Sequence, residues 1–446
     1  MFAVALLTTV LAAEPSPRFV PPADFAARAG ELMAARQATR GFSGTVLVAH
    51  HGKVLFAAGY GLADRDHDVP NTVATKYRIG SITKQFTAAC ILLLEQQGKL
   101  KVSDPLGKHL PDCPKAWADV TLLQLMSHTS GVPANHLLPA TLSGKLSRPA
   151  TPKQILDLVK DRPLQFKPGE KHVYSNTGYA LLGMVVEQVS GKKFGAFLKD
   201  SILTPCGMTD SGVDDTGRVL KDRATGYAGP DREAEFVHMT VVYSAGNMYS
   251  TVGDLLKWDR ALAGDAVLGP AAKKTLFAPV KDGYAAGFVV GTRFGRPQQW
   301  HNGGLPGFTS MMLRFPDDGL FVTVLTNSDD GRPELTAATL AAVAFGKPYV
   351  VPRKLEAAKV PDEALDALAG KYTSGDRTLT VTRSGGKLTL KEGKGADVTY
   401  TPLGADRFAA ASRSLEAEAV FTRADGKPIA VTLRTTGLET RWTKAD

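Results

Sequence analysis

Lys76-Tyr77-Arg78-Ile79-Gly80-Ser81-Ile82-Thr83-Lys84 is the stretch on which the reading of this chain turns. After Ser81, the apolar residues Phe86, Ala89, Cys90, Leu93 and Leu94 recur at helical spacing, and Gly98 supplies a stop. Ser81 is thus expected to open a long apolar helix, with Lys84 three residues on and on the same face. The positive end of the helix dipole then lies beneath the hydroxyl and favours a developing anion. Taken alone the pattern is weak, because a serine that merely caps a helix reads the same way. Ser-x-x-Lys also occurs at Ser190–Lys193 and Ser384–Lys387. Those pairs fall at a helix end and in a hairpin turn, where no rigid helix holds them.

Upstream, from about Gly41 to Phe56, two β-rich runs flank His51-Gly52-Lys53, a hairpin signal. Downstream, residues from about 100 to 215 are mostly helical patterns, including a stripe of Leu182, Val185, Val186 and Val189 ended by Ser190-Gly191. Strands return after Tyr284, through residues 284–294, 298–304, 311–316 and 320–328. Strands open the chain, helices fill its middle and strands close it. That order suits an α+β unit over residues 20–346, an antiparallel sheet built from both ends with a helical subdomain inserted at about 85–215. Residues 347–364 are Pro-rich and charged, the composition of a linker. Residues 365–446 alternate in short runs joined by Gly-Gly and Asp-Gly turns, which predicts a small all-β module.

Two further segments carry chemistry. Tyr174-Ser175-Asn176 follows a turn and precedes the 179–189 helix. A phenol is a poor base at its free pKa of about 10, but a neighbouring ammonium favours its ionised form. Asn176 offers an amide donor to a substrate carbonyl and an acceptor to Lys84. Trp300-His301-Asn302-Gly303-Gly304 lies on an expected strand, and paired glycines there let a substrate approach the backbone closely. His50-His51-Gly52 has the same His-x-Gly form but sits in the early hairpin turn.

Together these segments resemble the Ser-x-x-Lys, Tyr-x-Asn and Lys/His-x-Gly signatures of penicillin-recognising serine enzymes, in family order. The runs Leu122–Gly131, Gly207–Ser211 and Gly246–Thr251 look like the class C β-lactamase, D-aminopeptidase, D-alanyl-D-alanine carboxypeptidase and esterase branch. The resemblance spans roughly residues 40 to 335 and implies a β-lactamase/transpeptidase-like fold. The end module is similar to the lipocalin-like domains of some of these hydrolases. The resemblance of the three catalytic segments further implies an acyl-enzyme on Ser81, with Tyr174 taking the serine proton and Lys84 stabilising the phenolate. Asn176, His301, Gly303 and Gly304 then bind substrate, the oxyanion resting on the amides of Ser81 and Gly304. No cofactor or metal is implied.

One departure bears on substrate. Class C β-lactamases carry Lys followed by Thr or Ser where this chain has His301-Asn302. The expected cation becomes a titratable imidazole, and a hydroxyl that helps hold a β-lactam carboxylate is missing. Esters and D-amino-acid amides or peptides are therefore the expected substrates. A true β-lactamase is the alternative, and a catalytically inactive binding protein of the same fold is the alternative of another class. An α/β-hydrolase needs Gly-x-Ser-x-Gly, and no serine here has that context. No His-Glu-x-x-His zinc motif occurs. His128 reads as structural.

Composition agrees with an ordinary globular protein, at 446 residues, 43% hydrophobic and 22% charged. The net charge of +9 is spread along the chain without the clustered basic stripe that nucleic-acid binding requires. Phe2 to Ala13 is an apolar run closed by small residues, the form of a secretory h-region and too short for a membrane span, so residues 1–13 are expected to direct periplasmic or secreted localisation. The partner implied is a small-molecule or peptide substrate.

Overall fold

The computed structural model describes residues 19–133, 147–412 and 415–445 of the protein. The leader-like run at 1–13 lies outside them. Helix α1 (Phe25–Arg40) buries Phe25, Ala29, Leu32, Met33 and Arg36, a three-to-four spacing that makes one face, and ends at Gly41 in the left-handed conformation (φ 62°). Strands β1 (Gly44–His50) and β2 (Lys53–Tyr60) form the expected hairpin. His51 and Gly52 at its turn both take positive φ, 47° and 73°, the backbone twist that lets two-residue hairpins close.

Four later strands complete the main sheet: β3 (Val289–Arg293), β4 (Arg296–Leu305), β5 (Phe308–Phe315) and β6 (Leu320–Thr326). Its order is β3-β4-β5-β6-β1-β2, every pairing antiparallel. The two ends of the unit meet where β1 pairs β6, Gly44 opposite Thr326 and His50 opposite Leu320. Alternation along β1 explains why it reads as continuously apolar. Val46 and Val48 join α1 and helix α5 (Pro333–Ala344) in a core on one face, while Leu47 and Ala49 join the larger core on the other.

That larger core is organised around helix α2 (Thr83–Gln96), buried at every residue from Thr83 to Leu94. Helices α3 (Asn176–Ser190) and α4 (Val252–Ala263) pack around it. Phe86 stacks on Trp258 at 4.7 Å between ring centroids, and the Trp258 indole donates to Gln85. A helix apolar on all sides is a central helix, so it holds the residues at its N-terminus rigidly. Cys90 is buried within it, and Cys113 and Cys206 are free thiols.

Eight strands from Gly370 to Lys444 close into a barrel in simple sequential order. It has its own core, including Tyr372, Leu388, Phe408, Phe421 and Trp442, and the short helix α6 (Asp362–Leu368) adds Leu365 and Leu368. Closure removes sheet edges, as in lipocalin-type barrels. The barrel meets the main unit through a buried ion pair, Arg36 of α1 to Glu416 at 2.8 Å, with 1% and 2% of the side chains exposed. Arg36 also donates to Thr339 of α5. Among the described residues no helix is long and apolar enough to cross a membrane.

Candidate active site

Ser81 lies in a 3-10 turn, Gly80–Ile82, and the α-helix begins only at Thr83. The sequence expectation of Ser81 as the first residue of the helix is thus displaced by one tight turn. Gly80 makes the turn by taking φ 52°, and a Cβ there would stand 2.8 Å from the Gly304 nitrogen. At Gly303 a Cβ would stand 2.0 Å from the Ile79 carbonyl oxygen. Ser310 on β5 donates to that same carbonyl at 2.9 Å. Only glycine allows this close backbone packing, which brings the end of β4 against the nucleophile turn. Ser81 and Gly304 consequently line one small cleft.

Lys84 Nζ donates to Ser81 Oγ at 2.9 Å and to the Ala245 carbonyl at 2.8 Å. The lysine is fully buried, and loss of hydration holds its pKa well below the usual lysine value. Its second acceptor comes from a turn, Tyr243–Ala245, in which Tyr243 takes φ 39°. Such a conformation costs a non-glycine residue about 1–3 kcal/mol. It aims successive carbonyls at the helix, Ser244 accepting from Thr87 at 2.6 Å and Ala245 from Lys84. Asn176 lines the cleft and is not among the acceptors of Lys84, contrary to the sequence reading.

The Tyr174 ring centroid lies 4.8 Å from Lys84 Nζ. Tyr174 precedes α3, whose N-cap Ser175 accepts from the Gly178 amide at 3.3 Å. Burial pushes the phenol pKa up, and its hydrogen bond to Ser81 offsets this only in part. A depressed amine beside a raised phenol favours the neutral pair, free amine and intact phenol.

Behind Tyr174 runs a network that sequence reasoning missed. His128 packs against the Tyr174 ring, tilted by 40° with 4.2 Å between centroids. The Ser175 amide donates to His128 Nδ1 at 3.1 Å, so the ring carries its hydrogen on Nε2. That hydrogen points to the Tyr284 hydroxyl, 3.2 Å away. Tyr284 in turn donates to His301 Nε2 at 2.9 Å. His301 keeps its hydrogen on Nδ1, where the Asn302 carbonyl accepts at 2.6 Å. His128 is thereby fixed as the neutral Nε2–H tautomer, and Tyr284 donates to His301 Nε2 in the neutral form of His301. Burial reinforces this, lowering His301 to about 3 and His128 well below the usual histidine value. The titratable cation expected at His301 is therefore a neutral hydrogen-bond acceptor. His128 sat in a visible motif, but nothing in the sequence linked it to Tyr284 and His301.

On the opposite face of β4, the exposed Asn302 donates to Glu334 Oε1 at 2.8 Å. Where a β-lactamase carries a hydroxyl, this chain has an amide tied to a carboxylate near the N-terminus of α5. The arrangement of buried amine, serine and phenol, with a glycine strand beside it, is equipped for acyl transfer.

Comparison with known proteins agrees with this chemistry. The Beta-lactamase family model matches residues 27–345. Penicillin-binding protein 4* of Bacillus subtilis (strain 168) is 30% identical over 385 residues, covering 80% of this chain and 82% of its own. The structure of the octameric penicillin-binding protein homologue from Pyrococcus abyssi has a TM-score of 0.66 at 25% identity, over 94% of this chain and 99% of that one. The D-amino acid amidase from Ochrobactrum anthropi SV3 has a TM-score of 0.59 at 26% identity, over 69% and 92%. On the family match across the sheet and its helical insertion, this chain belongs to the β-lactamase family of serine hydrolases, which includes penicillin-binding proteins and D-amino acid amidases.

Proposed function

We propose that the protein hydrolyses esters and D-amino-acid amides or peptides through an acyl-enzyme on Ser81. The observation that carries this is the 2.9 Å separation of Ser81 Oγ from the Nζ of a fully buried Lys84, within reach for proton transfer between them. With Lys84 as a free amine, Ser81 Oγ forms its bond to the carbonyl carbon while its proton passes to Lys84 Nζ. The amides of Ser81 and Gly304 stabilise the oxyanion, a contribution of about 10²–10³ in rate for one such donor. On collapse the carbon–leaving-group bond breaks, and the Tyr174 phenol protonates the departing oxygen or nitrogen. The phenolate left behind recovers a proton from the Lys84 ammonium. Water then attacks the acyl carbonyl carbon while its proton passes to the Lys84 amine; the bond to Ser81 Oγ breaks, Ser81 recovers a proton from the Lys84 ammonium, and the acid is released. His128, Tyr284 and His301 hold the phenol in place.

Esters and D-amino-acid amides are preferred over β-lactams because of Asn302 and Glu334. A β-lactam carboxylate calls for a charge-assisted partner, roughly twice as strong as a neutral one. Here burial keeps His301 neutral, and Asn302 is hydrogen-bonded to the Glu334 carboxylate. The apolar run at Phe2–Ala13 supports periplasmic or secreted localisation.

Two variants separate the roles. Lys84→Ala abolishes acylation by both p-nitrophenyl acetate and D-alanine amide. Tyr174→Phe slows the amide far more than the ester, whose leaving group needs little protonation. Equal loss on both substrates in Tyr174→Phe assigns the proton-accepting role to Tyr174 instead. If kcat/KM for nitrocefin exceeds that for every ester and D-amino-acid amide tried, the substrate assignment is overturned.

A further inference from the structure

We propose that Thr87, one turn after Lys84 on α2, is a positioning residue for the catalytic amine: it fixes the Tyr243–Ala245 turn so that the Ala245 carbonyl aims the lone pair of Lys84 at Ser81. This rests on the acyl-enzyme reading above, with Lys84 as the proton acceptor. For Lys84 Nζ to take the Ser81 proton across 2.9 Å, its lone pair has to face Oγ and its two hydrogens have to point elsewhere. Among the described residues the Ala245 carbonyl, at 2.8 Å, is the acceptor for one of those hydrogens. Once the proton has passed, the ammonium keeps that acceptor, and a hydrogen bond to the charged form favours it.

The turn that presents this carbonyl is strained at Tyr243 (φ 39°), so its neighbours have to hold it in place. Thr87 Oγ1 donates to the Ser244 carbonyl at 2.6 Å and lies farther, at 3.4 Å, from the Thr83 carbonyl of its own helix. The adjacent carbonyls of Ser244 and Ala245 are thus tied to two side chains three residues apart on one face of α2. From the other side, the Ser244 hydroxyl donates to the Tyr179 carbonyl of α3 at 2.9 Å. Gly183, one turn further along α3, admits the turn: a Cβ there would stand 2.1 Å from Ser244 Oγ and 2.8 Å from the Tyr243 ring. Thr87 and Ser244 are fully buried, and neither lines the cleft beside Ser81. The titratable groups that face Lys84 are Tyr174 and Tyr179, with rings 4.8 and 5.4 Å from Nζ, and the buried imidazoles of His128 and His301. None of these accepts from the amine, which leaves its orientation to the backbone carbonyl.

The test is the pH dependence of p-nitrophenyl acetate hydrolysis, from about pH 5 to 9, by the full chain and by Thr87→Val, which keeps the side chain's shape and removes its hydroxyl. Both half-reactions pass a proton to Lys84, so kcat is expected to fall about 10–100-fold with KM little changed. The acidic limb of the kcat/KM profile is expected to move to lower pH, because the ammonium loses an acceptor that stabilised it. Thr87→Ser restores the hydroxyl and is expected to return kcat to within about threefold of wild type. Should Thr87→Val fold poorly, Ser244→Ala loosens the same turn from α3 and is expected to show the same fall in kcat and the same shift. A folded Thr87→Val with kcat within about threefold of wild type overturns the assignment. So does a loss carried by KM, an unmoved acidic limb, or a loss that Thr87→Ser fails to restore. Fluorophosphonate labelling is run alongside. Labelling at the wild-type rate in Lys84→Ala sinks the reading of Lys84 beneath the proposal, whereas slow labelling there with an unchanged Thr87→Val profile sinks only the role of Thr87.

Discussion

Replacing Gly303 by Ala tests whether backbone packing between β4 and the nucleophile turn sets the active-site geometry. The added Cβ would stand 2.0 Å from the Ile79 carbonyl oxygen, 2.4 Å from Ser310 Oγ and 2.9 Å from the Ile79 carbonyl carbon. Ordinary contact begins at 3.4 Å, so the Ile79 carbonyl and the strand must separate by more than an ångström. Ile79 is two residues from Ser81, and the Ser310 bond that anchors its carbonyl is broken by the same movement. Overpacking of this kind costs about 1–3 kcal/mol, leaving the protein folded with a lowered Tm. A displacement of about 1 Å in a reacting group costs about 10²-fold in rate. The adjacent Gly304→Ala is the internal control, because a Cβ there meets no atom within 4 Å. Measuring kcat/KM for p-nitrophenyl acetate, with Tm by calorimetry, should show a hundredfold loss in Gly303→Ala and less than tenfold in Gly304→Ala. Activity within threefold of wild type in a folded Gly303→Ala, or equal damage from the two substitutions, refutes the packing argument.

Other outcomes follow from the same geometry. Tyr284→Phe leaves the buried His128 Nε2–H and His301 Nε2 unpaired, so kcat is expected to fall about 10–100-fold with KM little changed, together with about 1–3 kcal/mol of stability. A merely structural tyrosine would lower Tm without that split between kcat and KM. His301 folds neutral with a pKa lowered to about 3, against about 6.5 when unfolded. The unfolded chain then binds the extra proton between those values, so stability rises with pH across about 3 to 6.5 and is lost on acidification, by up to about 1.4 kcal/mol per pH unit. Urea titrations from pH 7 to 4 should show a shallower pH dependence in His301→Asn than in wild type, and identical slopes contradict the assignment. Glu416→Ala strands the buried Arg36 guanidinium without its partner, and a loss of about 3–5 kcal/mol in chemical denaturation is expected.

What was legible in the sequence was local. Ser81 and Lys84 share a helix face by spacing, and the Tyr179–Val189 stripe located the segment that positions Tyr174 and Asn176. The two-ended sheet was visible because strands bracket a helical stretch, and β1 and β6 do pair. The His51-Gly52 turn was legible because two-residue hairpins demand positive φ. What escaped depends on tertiary environment. The charge state of His301 is set by burial and by Tyr284, whose hydroxyl lies within bonding distance of rings 156 and 17 residues away in the chain. The state of Lys84 is likewise a matter of desolvation, which no spacing rule reports. Glu334 entered the site through strand alternation at Asn302, on the face opposite His301. The Arg36–Glu416 pair joins residues 380 apart, beyond any local pattern.

The central claim is that Ser81 is a nucleophile activated by Lys84. Intact mass of the full chain after exposure to a fluorophosphonate tests it most directly. The account predicts a single adduct, mapped by peptide digestion to the segment containing Ser81, absent in Ser81→Ala and strongly slowed in Lys84→Ala. An adduct that persists in Ser81→Ala, or labelling at the wild-type rate in Lys84→Ala, contradicts it.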